Sequence, residues 1–447
     1  SGTLRKLRLS MLSRLQWREN IPLALPVVFG QIGHIAASVA DSIMVGRLGV
    51  IPLAAVSYGA SIASVPFVFG IGLAYGLTPF VANAVGQKRH GKGIRLLKHS
   101  VIVNLVTAMV MMLAVWLIHM VASQTGQDAK MLVVAEDYLY IYMLSFVPFM
   151  AFLAAKQYLE GLGDTKTPMR ISLWGNTLNI TLNALLIFGL FGFPAMGITG
   201  AAVATVIARM VMAVWIWRHL FVSGKVTVPE WAAAVYQRHL VGGLLKVGIP
   251  SGLQYIFEVS AFSISAIIIG TYGAMPLAAH QVAISLASIS YMAATGLGAS
   301  ATIRVAQFIG QRKPAKAREA GTSLFLLTSL FMVFTGLFFF FGRHIMPYAY
   351  TDVVLVAQSA AALLVVATIF QLSDGLQAAA LGALRGAKDV RVPTLISFLS
   401  YYVVALPLEW YLGTVLGYGA VGVWAALAVG LTLSAVLLTQ RFYKVVS

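Results

Sequence analysis

Three carboxylates, Asp41, Glu258 and Asp374, sit deep inside long apolar runs of this chain. An ionised side chain at the centre of a membrane helix costs about 2.5–3.5 kcal/mol on insertion scales unless it is protonated, paired or facing water. The chemistry open to such groups is the binding of protons, metal cations or a cationic ligand. Glu258 is preceded one turn earlier by Gln254 and Tyr255. Asp374 is preceded by Phe370 and Gln371 and followed by Gln377. Carboxylates among amides and aromatic faces suit a cation, organic or inorganic, and Glu258 and Asp374 are the candidate Na+ ligands. Earlier in the chain, His34 and Asp41 are seven residues apart and share a face if helical. Asn176, Asn179, Asn183 and Thr199 add amide and hydroxyl oxygens. Together with Asp41 these make an all-oxygen Na+ site or a hydrogen-bonded carboxyl that takes a proton, with His34 a candidate relay. The structural alternative for each is plain: interhelical hydrogen bonds for the acids and asparagines, and packing for His34 and the aromatics.

The elements that must carry these residues are membrane helices. The 447 residues are 59% hydrophobic and 10% charged, with mean hydropathy +0.86, too few charges to cover a soluble domain of this size. Hydropathy predicts twelve spans, near 21–46, 51–80, 99–120, 134–155, 171–191, 197–217, 247–270, 276–303, 319–341, 355–382, 394–413 and 418–440. The net charge of +17 would suit nucleic acid, but its placement argues against that. Of 31 Lys and Arg, 27 fall at the termini and in alternate connections, from Arg5, Lys6, Arg8, Arg14 and Arg18 to Arg441 and Lys444. The opposite connections hold only Arg47, Lys130 and Arg343, and Arg209 lies within a span. The positive-inside bias places both termini in the cytoplasm, gives an even number of spans, and suits a bacterial inner membrane rich in anionic lipid. The basic stretch 1–20 lacks the short apolar core of a signal peptide, and Ser1-Gly2 reads as a cloning remnant. With no cysteine, disulfides, thiolate metal sites and thiol nucleophiles are excluded. There is no Walker A sequence, no His-Glu-x-x-His and no arginine-rich voltage-sensing helix.

The spans are duplicated. Residues 26–87 match 250–311 without a gap at an offset of 224: Pro26 with Pro250, Gly49 with Gly273, 52–55 (Pro-Leu-Ala-Ala) with 276–279, Gly86-Gln87 with Gly310-Gln311. At an offset of 225, Gly161, Asp164 and Pro168 meet Gly386, Asp389 and Pro393. Six spans return the chain to the same side, so the copies are parallel. The predicted fold is all-α, twelve transmembrane helices in two six-helix lobes related by a pseudo-twofold along the membrane normal, with a cavity between lobes that rock. The lobes are 1–220 and 241–447, joined by a polar cytoplasmic link at 221–240. Pro26 and Pro250, within or near the first turns of equivalent helices, are candidate hinges. The acids are not part of the shared scaffold: Asp41 corresponds to Ser265, Glu258 to His34 and Asp374 to Phe149. Each half therefore has its own polar site.

These residues resemble the MATE (multidrug and toxic compound extrusion) family, in its NorM-type branch, over nearly the whole chain. The resemblance is carried by 41–49 (Asp-Ser-Ile-Met-Val-Gly-Arg-Leu-Gly), by 79–86 (Pro-Phe-Val-Ala-Asn-Ala-Val-Gly), by the duplicated turns 160–168 and 384–393, and by Phe257-Glu258 with Ser373-Asp374. The resemblance implies export of organic cations and lipophilic drugs in exchange for Na+ or H+, with no cofactor and no enzymatic step. It places Glu258 and Asp374 in a second-lobe cation site, and Asp41, Asn179, Asn183 and Thr199 in a first-lobe ion site. His34, Gln254, Tyr255, Phe370 and Gln371 are candidate cavity or relay residues. Asn183 stands where relatives often carry Asp, and Phe370 where an aromatic hydroxyl is common. The expected partners are small organic cations and membrane lipids, for a monomer. The runner-up is a lipid-linked oligosaccharide flippase of the same superfamily, which would need basic residues to grip phosphates, whereas the intramembrane charge here is mainly acidic. An enzyme built on His34 and Asp41 lacks a nucleophile motif; a receptor or channel is a third class.

Overall fold

Long apolar runs with no internal water to satisfy their backbone must hydrogen-bond to themselves, and the helix does this within one segment. The computed structural model describes the backbone of residues 2–447 and the side chains of residues 16–447. Ser1 and the side chains of Arg5, Lys6, Arg8 and Arg14 lie outside the described residues. The described chain is helical throughout, without strands. Twelve helices are long and apolar enough to cross a membrane: α1 (Gln16–Gly46), α2 (Val50–Gly86), α3 (His90–Ala122), α4 (Ala129–Gly161), α5 (Lys166–Phe188), α6 (Ile198–Val222), α7 (Arg238–Gly270), α8 (Ala274–Gly310), α9 (Pro314–Gly342), α10 (Val354–Gly386), α11 (Arg391–Val415) and α12 (Gly419–Val445). Each of the twelve expected spans has its helix. Large apolar side chains lie bare on outward faces: Val106, Met109, Val110 and Leu113 of α3 and Phe334, Phe338 and Phe341 of α9 are 53–75% exposed. Such faces are stable against lipid, not water.

Most helices outrun the hydrophobic window. α7 begins at Arg238, nine residues before the expected start, and the helix containing α1 runs from Gly2. Pro26 and Pro250 are therefore inside their helices, not in the first turns. Hydropathy marks only the buried part of a helix, so its amphipathic extension goes unread. α11 departs from regular geometry: Leu399–Ala405 and Tyr411–Val415 are π-helical, on either side of an α-helical turn Leu406–Trp410. Pro407 has no N–H to donate to Val403 and crowds its carbonyl, a local cause for the widened turn before it.

The repeat is visible in the turns that close α2, α4, α8 and α10. In each, a residue in the left-handed region ends the helix with paired bonds back to the last turn: Lys88 (φ 58), Gly163 (φ 92), Arg312 (φ 58) and Lys388 (φ 59). For example, Arg89 N–H donates to Ala84 at 2.9 Å and Lys313 N–H to Phe308 at 2.9 Å, the Schellman pattern. Beyond these turns Asp164 pairs with Lys225 at 2.7 Å and Asp389 with Arg441 at 2.6 Å. Partial burial raises the Asp164 pKa, but hydrogen bonds from Lys225 and from the Thr167 hydroxyl and N–H outweigh it. They hold the carboxyl below its usual range. Thr78 donates to the Gln157 carbonyl (3.4 Å) and Thr302 to the Gly382 carbonyl (2.7 Å), equivalent bonds between α2 and α4 and between α8 and α10. The second pair of helices is the closer: a Cβ on Gly382 would stand 2.1 Å from the Gly298 carbonyl.

The chain packs as two compact units, one of residues 29–252 and one of 1–28 with 253–447. The breaks, Val28/Phe29 and Gly252/Leu253, are themselves 224 apart, so they fall at the same place in both repeats, inside α1 and inside α7. In the first unit Leu97, Met111, Phe146, Met150 and Tyr158 form the core. The polar link is fastened to it through a short helix, Val228–Ala233. Lys98 donates to the Trp231 carbonyl at 2.9 Å, and Gln237 N–H donates to His99 at 2.7 Å. In the second unit one core gathers Leu363, Leu364, Phe370, Tyr401 and Trp424, and another holds Ala24, Ala301, Phe325 and Phe442.

Candidate functional site

Asn179 and Asn183 are four apart on α5 and share a face, and that face meets α1. Asn183 is fully buried, and its amide donates to the Asp41 carboxylate and, at 3.0 Å, to the Asn179 side-chain oxygen. Asn179 in turn donates to the Thr205 hydroxyl of α6 at 3.3 Å. The chain of bonds thus runs from Asp41 through two amides to a hydroxyl, and the Asn183 side-chain oxygen is left buried without a partner. The expected hydroxyl, Thr199, is in the first turn of α6 and makes no side-chain hydrogen bond to a described residue; Thr205, six residues on, takes that place. Asn176 and His34 also make none, and His34 is exposed. Arg209, the intramembrane cation, is not paired with an acid. Its guanidinium stands 5.1, 5.2 and 4.7 Å from the ring centroids of Phe67, Tyr142 and Phe149 and donates to the Ser145 hydroxyl at 2.6 Å.

In the second unit, Glu258 of α7 and Asp374 of α10 lie close enough to interact electrostatically. Tyr291 of α8 turns its hydroxyl to Glu258. Asp374 is 4% exposed, and one of its oxygens has no partner. Gln377 donates to the Tyr401 hydroxyl of α11 at 2.9 Å, and Gln371 donates to Ser290 at 2.7 Å. Gln254 turns away from Glu258 and donates to Thr394 (3.1 Å) and the Val390 carbonyl (3.3 Å). The Phe370 ring packs on Trp424, centroids 5.5 Å apart, and the Tyr255 ring lies 6.0 Å from the Arg385 guanidinium. Sequence reasoning missed Tyr291 and Tyr401, whose hydroxyls look like any other aromatic in a span.

One more acid within an expected span is buried among the described residues. Glu409 of α11 is 0% exposed, and its Oε1 lies 2.8 Å from the Ser265 hydroxyl of α7. It sits near the end of its expected span, 394–413, where an acid reads as interfacial. Its burial there could have been suspected from the apolar residues on both sides. None of the five ion pairs among the described residues includes Asp41, Glu258, Asp374 or Glu409. No three His, Cys, Asp or Glu converge among the described residues either. What the arrangement can do is hold a proton, or a monovalent cation among two carboxylates and hydroxyls.

The MatE family model matches residues 26–185 and 250–411, stretches that begin 224 apart and end 226 apart. The chain is 31% identical, over 96% of its length and 94% of the other's, to the probable multidrug resistance protein NorM of Mesorhizobium japonicum. Its fold superposes on the MATE transporter VcmN of Vibrio cholerae in its bent form with a TM-score of 0.88 at 18% identity, covering 98% of each chain. It superposes on the eukaryotic MATE transporter AtDTX14 with a TM-score of 0.87 at 21% identity, over 97% of this chain and 98% of that one.

Proposed function

The chain belongs to the MatE family, and from that premise we propose that it is a multidrug efflux antiporter. It exports organic cations and lipophilic drugs by alternating access in exchange for Na+, H+ or both, across a bacterial inner membrane with both termini in the cytoplasm. The observation that carries the reading is the pair Glu258 and Asp374, two mutually interacting acids without a basic partner of their own. Such a pair draws its positive charge from outside the protein, and a proton, Na+ and a cationic drug compete for it. Competition for one site is antiport: whichever cation arrives displaces the other. By linkage the effect is reciprocal, so an ion that weakens drug binding tenfold is itself bound tenfold more weakly when drug is present. The preferred assignment is Na+ at Glu258 and Asp374 and a proton at Asp41, whose amide partners bring no second charge.

The test is export of a cationic dye from proteoliposomes under separately imposed Na+ and pH gradients, beside dye binding to purified protein titrated against each ion at constant ionic strength. Uphill export driven by one gradient, with reduced dye affinity in that ion, is expected. Dye affinity indifferent to both ions overturns the competition, and the absence of uphill export overturns antiport.

A further inference from the structure

α1 and α7 are counterparts in the repeat, as are α5 and α11. Before the π-turns their contacts run in one register. Gly33 lies against Leu173, and the Phe257 ring packs at a tilt on Phe398 with centroids 5.4 Å apart. Gly33 and Phe257 are 224 apart in sequence, Leu173 and Phe398 225. The π-turn Leu399–Ala405 takes up one extra residue. Beyond it α11 runs one residue ahead, so Asn183 corresponds to Glu409 rather than Leu408. The contacts follow: Asp41 meets Asn183, and Ser265, 224 after Asp41, meets Glu409. In the second half the acid and its polar partner have exchanged helices.

The partners differ in kind. Asn183 offers Asp41 an N–H, which only donates. Ser265 has one hydrogen and stands 2.8 Å from Glu409 Oε1 and 2.9 Å from the Ala261 carbonyl. A carbonyl accepts and never donates, so the single Ser265 hydrogen faces two acceptors, and a hydrogen on Glu409 is what lets both contacts be hydrogen bonds. The other Glu409 oxygen, Oε2, is buried without a partner. We infer that Glu409, held by Ser265, is a proton-binding site distinct from Glu258 and Asp374, the repeat counterpart of Asp41 with acid and partner on exchanged helices. No ion pair among the described residues supplies a charge in the proton's place, and the histidine of α8, His280, accepts from Trp424 of α12. α7 carries Glu258 seven residues before Ser265 and Tyr272 seven after. α10 carries Asp374. α11 itself carries Tyr401, Tyr402 and Tyr411 near Glu409, and Arg391 at its far end. α12 has no acidic, basic or histidine residue from Gly419 to Gln440.

The inference is tested on purified full-length protein, without reference to transport. Dicyclohexylcarbodiimide adds to a protonated carboxyl across its C=N bond and rearranges to a stable N-acylurea with nothing lost, and peptide mass spectrometry locates the adduct. Labelling at Glu409 is expected at neutral pH. It should fall about tenfold per pH unit once the proton leaves, and it should not change when Na+ replaces choline at constant ionic strength. Infrared spectroscopy of wild type minus Glu409→Gln covers the case of a reagent that cannot enter: the carbonyl band of a protonated carboxyl should appear in the difference. Glu409→Gln, which keeps an N–H for Ser265, should melt within a few degrees of wild type. Loss of labelling on adding Na+ at fixed pH overturns the proton assignment. So does the absence of both the adduct and the carbonyl band.

Discussion

The polar clusters of the two halves hang on the same scaffold and differ in every charged group. The first has one carboxylate, Asp41, met by the amides of Asn183 and Asn179. The second has two carboxyls, Glu258 and Asp374, that interact with each other, with the Tyr291 hydroxyl turned to Glu258. Around them the turns repeat, with left-handed residues at Lys88 and Arg312 and at Gly163 and Lys388, and so do the threonine bonds from Thr78 and Thr302. Helix ends and crossing points are set by backbone geometry, which two copies of one unit share. Charge is set by single side chains, which each copy holds independently. On the proposed reading, Asp41, whose amide partners bring no charge, takes one proton. On the same reading Glu258 and Asp374, without a basic partner, take up a proton or another cation.

The sharpest break of that comparison comes from neutralising the pair. Glu258→Gln and Asp374→Asn are each expected to lower vesicle export of a cationic dye at least tenfold while expression and melting temperature stay near wild type. Wild-type export in both would mean that the second cluster is only structural. Asp41→Asn is expected to cost less, a several-fold loss, with Asn179→Ala and Asn183→Ala milder still. A mutant that loses melting temperature but not ion coupling would make Asp41 a helix tie. Asn183→Asp would make the first cluster resemble the second, and dye binding should gain Na+ sensitivity.

Two smaller effects probe the scaffold. The Asp164 carboxyl is held below its usual range, so its stabilisation is complete above the unfolded value near pH 4. It fades as pH falls through the lower folded value. Asp164→Asn should therefore melt earlier than wild type at neutral pH, by about 1 kcal/mol or less for a partly exposed pair, and the gap should close in acid. A gap that widened in acid would contradict the assignment. Last, Gly163→Lys places a side chain in a left-handed position and should cost about 1 kcal/mol. The denaturation midpoint of the variant, set beside that of wild type, checks it.

The spans and turns were legible because hydropathy, glycine and proline report on lipid and on backbone geometry. The buried acids Asp41, Glu258 and Asp374 were legible because a charge in an apolar run has few innocent reasons to be there. What failed to show was register. Pro407 marks a break in α11 but not the extra residue that the turn takes up, so the pairing of Ser265 with Glu409 was hidden behind an offset one residue short. Thr199 and Thr205 both lie on α6, and only the angle at which it meets α5 decides that the Thr205 hydroxyl reaches Asn179. Gln254 follows the same rule, sharing a helix with Glu258 but donating to Thr394 and Val390.

The division of the chain at Val28 and at Gly252 bears on how the protein is made. The unit of residues 29–252 can close once Gly252 has left the ribosome, before the rest of the chain is made. Residues 16–28 precede that unit in the chain, yet they pack in the other one. The Trp17 indole donates to the carbonyl of Ser323, 306 residues later, and Ala24 sits in a core with Leu297 and Ala301. At roughly 5–20 residues per second, the start of α1 waits some tens of seconds in the membrane for its partners. During that wait the start of α1 lacks the native partners that Trp17 and Ala24 will find.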